Sequence, residues 1–181
     1  MHCQRANHIY NFYFTYDGRY LTKFGQLPSL EDIAGADIRK YEPLLRGGYF
    51  GELKRATGLA SHGIGIGSFV YLRRIFEKLL RDHYNDLDGD KPTQDDFMRM
   101  RMDERISALA PSLPIALVKN RAIYKILSVG VHELDEETCR KHFPVIRAAI
   151  LQILEQDFQA RERAKAAANL EAEIAKIAGS I

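Results

Sequence analysis

The sequence predicts a mainly α protein (α+β): an N-terminal β-hairpin module packed on a helical bundle. Three observations predict it. Period-two aromatic alternation is confined to residues 8–24. From residue 30 onward the apolar residues recur at helical spacing. Apolar residues make up 46% of the 181 in the chain, enough to fill a real core.

The elements follow in order. Tyr10, Phe12, Phe14 and Tyr16 alternate along one strand, and Tyr20, Thr22 and Phe24 along the next. Asp17-Gly18 between them is a tight-turn pair, because glycine tolerates positive φ. A lone hairpin is marginal in water, so it must pack on something or join a larger sheet. Ser29 caps a short helix through Ile33. Asp37 to Leu45 is a second helix, disturbed by Pro43. Gly47-Gly48 breaks the chain, and Tyr49 to Leu59 is a third helix. The strongest helix runs from Ser68 to about Tyr84. Phe69, Leu72, Ile75, Phe76, Leu79, Leu80 and Tyr84 form its apolar stripe, and Arg73, Arg74, Glu77, Lys78 and Arg81 fill the other side.

Thr93 and Asp96 form a capping box that opens a helix through about Ala110. Pro111 to Pro114 ends it. Ile115 to Val129 is the next helix, stopped by Gly130. Asp135 caps the one after, with Glu136 and Glu137 suiting the helix dipole. Pro144 kinks it, and Val145 to Leu154 is core. In the tail, Leu170, Ile174, Ile177 and Ile181 recur at spacings of four, three and four, giving one apolar seam for a partner helix or for the body of the domain. Residues 1–30 thus form a hairpin module, 31–158 a helical domain and 159–181 a C-terminal amphipathic helix.

Composition narrows function. A formal net charge of +2 argues against a general nucleic-acid coat and leaves room for a local basic patch. No apolar run of about 18 residues is present, so no membrane span is expected. The first eight residues lack the apolar stretch of a signal peptide. Two cysteines, Cys3 and Cys139, give no disulfide framework and fit a cytoplasmic, reducing location.

Four groups carry candidate chemistry. Ser61 to Ser68 holds three glycines before the strongest helix and reads as a phosphate cradle or as a close approach between helices. Cys3 and His8 are half of a zinc ligand set, completed only if a longer N-terminal module exists; otherwise they are exposed terminal residues and no cofactor is expected. His132 is a general base near neutral pH or a structural helix-end residue. Lys125 before it is positioned to supply a cation, and Arg121 to grip a phosphate as a bidentate donor. Arg73 and Arg74, with Arg81, Arg99, Arg101 and Arg105, form either a nucleic-acid patch or a solvated face interleaved with acids.

Two stretches carry a family resemblance: the helix from Phe69 to Leu80, and Tyr124 to Asp135 followed by a helix from Glu136 to Leu154. Together, residues 60–158 resemble the HEPN (higher eukaryotes and prokaryotes nucleotide-binding) superfamily, especially its uncharacterised bacterial helical branches. Active members carry Arg, four to six residues, then His; here Lys125 is followed by six residues and then His132. The resemblance implies an HEPN-like bundle and a homodimer. It implies a non-catalytic or weakly catalytic module that meets RNA or nucleotide, in a phage-defence or stress system. The first alternative is a metal-independent endoribonuclease toxin with His132 as base and Lys125 or Arg121 stabilising charge. The second is a dimerisation or scaffold domain using the tail seam. The N-terminal hairpin with Cys3 and His8 is similar to a zinc-ribbon-like remnant.

Overall fold

The computed structural model describes residues 9–89, 91–132 and 135–178, with side chains at all of these except 34, 116 and 128–132. It is mainly helical with one two-stranded antiparallel sheet, β1 (Asn11–Tyr16) and β2 (Leu21–Leu27). Asp17 and Gly18 make the turn: Gly18 takes φ +95°, and Asp17 Oδ1 accepts from the amides of Arg19 and Tyr20 at 2.9 and 2.7 Å. A bulge between Tyr13 and Phe14 shifts the register, and the Phe24 ring ends 6.1 Å from Tyr13. The hairpin meets the helical body at its base, where Phe24 to Gln26 face Ser29, Leu30 and His62. Beyond that its faces are open; Phe14, Tyr16, Leu21 and Phe24 are all at least half exposed.

Eight α-helices follow among the described residues. Helix α1 (Leu30–Ala34) begins at Ser29, whose Oγ accepts from the Asp32 amide at 3.0 Å. The segment expected as a helix to Leu45 is instead a 3-10 turn over Ala36–Tyr41, loosened ahead of Pro43. Gly47 and Gly48 both take positive φ before α2 (Tyr49–Ser61). Helix α3 (Gly65–Asp86) starts three residues earlier than the apolar stripe alone indicates. It is the central element, packing on α2, α7 (Ala122–His132) and α8 (Glu136–Ala178). Phe69, Leu72, Ile75 and Phe76 are fully buried on it, against Ile146, Ile150, Ile153 and Leu154 of α8.

Two expected helices are each broken in two. Thr93 to Ala110 becomes α4 (Gln94–Arg99) and α5 (Met102–Ala108), because Met100 and Arg101 are extended, with ψ 146° and 156°. Glu104 Oε2 then accepts from the Arg101 amide at 2.7 Å and restarts the helix. Ile115 to Val129 becomes α6 (Ile115–Lys119) and α7, which runs through Gly130 rather than stopping there. Helix α8 passes Pro144 unbroken, and Val145 beside it is exposed rather than core. Its second half is bare: from Gln159 to Ala178 every residue is exposed. Among the described residues, no helix is long and apolar enough to cross a membrane.

Candidate phosphate-binding cleft

A cleft of about 820 Å³ opens between α3, the α4–α5 junction and the start of α7. Six cations line it, Arg73, Arg81, Arg101, Arg105, Arg121 and Lys125, against two carboxylates, Glu77 and Asp103. A chain of net charge +2 therefore gathers its positive excess in one place. Volumes of this size suit a small ligand, or a short stretch of a larger one.

The two helix breaks build the cleft. Three guanidinia sit at them because helix ends leave carbonyls without partners. Arg105 Nε donates to the Phe97 carbonyl at 2.9 Å and its Nη2 to the Met98 carbonyl, closing the end of α4. The Arg105 guanidinium also lies 5.6 Å from the Phe97 ring centre. Phe97 in turn stacks on Tyr84 with ring centres 4.3 Å apart, which anchors α4 to α3. Arg121 Nε donates to the Val118 carbonyl at 3.1 Å, and its Nη1 to Ser107 Oγ at 2.7 Å. Arg101 stands at the break between α4 and α5, its side chain 83% exposed and 3.8 Å from Asp103.

The cations are not equivalent. Arg73 is held by Glu77 at 3.0 Å, which pushes its guanidinium further up, and it lies 5.8 Å from the Tyr124 ring centre. Arg105 and Arg121 are fixed by carbonyls, yet a guanidinium has five donors and Arg121 keeps some to offer. Arg81 donates to the Tyr49 hydroxyl at 3.4 Å and has no acidic partner among the described residues. Lys125 is exposed and has no acidic partner among the described residues. Fixed guanidinia beside freer cations suit an anion: the former set the field and the latter close on the ligand. Met98, Met100 and Met102 give the cleft an apolar wall, with Tyr124 opposite.

Of the residues singled out from sequence, the structure brings Arg73, Arg121 and Lys125 together in this cleft. Arg74 does not join them; it points the other way and pairs with Glu52 at 2.7 Å. Arg81, Arg101 and Arg105 line the cleft, and Arg99 does not. His132 is the last residue of α7, about two turns beyond Lys125, and its side chain lies outside the described residues. Cys3 and His8 also lie outside them. Among the described residues no cluster of three His, Cys, Asp or Glu is placed to hold a metal. The methionine wall was not anticipated. Its signal is the alternation Met98-Arg-Met-Arg-Met102, in which a cation separates each methionine from the next.

The glycine-rich stretch from Ser61 to Ser68 is a close approach and not a phosphate cradle. The amides at the start of α3 are already taken: Gly65 and Ile66 both donate to Glu136 Oε2, the latter at 3.0 Å. Cys139 is fully buried, and burial raises its thiol pKa, so it is no nucleophile. No family model matches the chain, and no curated protein or solved structure matches it either.

Proposed function

We propose that the chain is an HEPN-like module that binds RNA or a nucleotide through the cleft between α3, α5 and α7. One observation carries this reading: six cations against two carboxylates around one open cleft, in a chain almost neutral overall. Lys125, Arg101 and Arg81 take the phosphate oxygens, and Arg121 adds a directed guanidinium contact. Met98, Met100 and the Tyr124 ring face the base, which stacks on apolar and aromatic surface. The test is fluorescence anisotropy with a labelled single-stranded RNA. Arg101→Ala/Lys125→Ala should weaken binding by about tenfold or more and flatten its salt dependence by roughly one to two counterions. Arg74→Ala, outside the cleft, should leave both unchanged. Equal losses in the two variants, or no binding by the wild type, would sink the reading.

A second reading, a metal-independent endoribonuclease, is favoured by one feature. Helix α7 carries Lys125 on the cleft wall and ends at His132. Imidazole is a suitable base near neutral pH. Purified protein should then cleave RNA in excess EDTA, and His132→Ala should not. Cleavage by neither leaves binding alone.

A further inference from the structure

Beyond Arg161, whose guanidinium donates to the Pro43 carbonyl at 3.5 Å, α8 runs on to Ala178 as about 25 Å of helix with every residue exposed. A free helix of that length is marginal in water. Yet Leu170, Ile174 and Ile177 are 58, 56 and 64% exposed in a single line along it. We infer that this segment is an interface, and that its occupant is the same segment of a second copy of the chain, running antiparallel.

Two features of the segment select that occupant and direction. The first is size. Over the three turns before Leu170, the same line of the helix carries Arg163 and the small Ala160 and Ala167. Antiparallel pairing sets Leu170 on Ala167 and Ile177 on Ala160, large against small, with Ile174 along the aliphatic stem of Arg163. Parallel pairing sets large on large and small on small, leaving the alanine half poorly filled.

The second is charge. Arg161, Arg163 and Lys165 make the first half net basic, whereas Glu171 and Glu173 make the second half net acidic. An antiparallel partner lays Arg163 along Ile174, within one turn of Glu171 and Glu173. A parallel partner lays like charge on like, which is unfavourable. The two-fold axis passes near Ala168, so the interface is self-complementary and closed. It is separate from the basic cleft and does not depend on what the cleft binds.

The test is sedimentation equilibrium of the full chain over about a hundredfold range of concentration. The wild type should show a monomer–dimer equilibrium. Ile174→Glu/Ile177→Glu should raise the dimer dissociation constant at least tenfold. Both residues stand clear of the core, so circular dichroism should show the body still folded. Direction is read from charge reversal. Arg163→Glu should weaken the dimer, and Arg163→Glu combined with Glu173→Arg should restore it. A wild type that stays monomeric, a dimer indifferent to Ile174→Glu/Ile177→Glu, or an Arg163→Glu defect that Glu173→Arg fails to repair would each overturn the inference.

Discussion

At Gly65 the backbone of α3 meets that of α8. A methyl group there would stand 2.8 Å from both the Arg140 amide nitrogen and Cys139 Cβ, and closer still to the Glu136 carbonyl. Backbone cannot give way as a flexible side chain can. Gly65→Ala should therefore destabilise the fold by about 1–3 kcal/mol or more, measured by denaturant unfolding; an unchanged midpoint would contradict the packing described. Glu155 offers a second test. It faces Lys40 at 2.6 Å and accepts from the Tyr41 hydroxyl at 2.7 Å. Lys40 above all, then Tyr41 and Gln159, holds its carboxyl down to about 2. A depressed carboxyl stabilises the fold above its ordinary value of about 4.3, and that contribution fades as pH falls toward the folded-state value. The melting temperature of Glu155→Gln should lie below wild type at neutral pH, by little because the pair is exposed, and the gap should close in acid. A gap constant down to about pH 2 would contradict this assignment.

The helix breaks at Arg101 and Arg121 matter more for function than the helices they separate. The amphipathic stripes of α3 and α8 were legible in the sequence because burial there is periodic and local. The two breaks were not, because helical spacing runs on across both. The contacts at the breaks are largely tertiary: Phe97 stacked on Tyr84, Arg105 reaching back to the Phe97 carbonyl and Arg121 reaching Ser107 Oγ. Arg73, Arg121 and Lys125 were legible as candidates one by one, but their meeting was not, since it depends on where the breaks fold the chain. Arg74, one position from Arg73, shows the limit; adjacent helical residues differ by about 100° in direction. Arg105 is the element-scale test. Arg105→Ala leaves two carbonyls at the end of α4 without donors and should cost about 1–3 kcal/mol. Amide hydrogen exchange should quicken in 94–105 before it does in α3. Uniform loss across the chain, or none, would contradict a role in closing α4.

At the scale of the whole molecule, the chain combines a packed helical body with two projecting apolar elements, the aromatic hairpin and the distal half of α8. The hairpin turn and the α8 seam were both legible, from Asp17-Gly18 and from the four-three-four spacing. That both project from the body was not, because projection is a property of packing and not of pattern. The basic cleft, set in the body, is the feature the account depends on most. The most direct test is amide hydrogen exchange with and without a saturating single-stranded RNA oligonucleotide. Exchange should slow in 98–105 and 121–125 and stay unchanged in 11–27 and 159–178. Protection confined to the hairpin or to the distal helix would place the ligand elsewhere and contradict it.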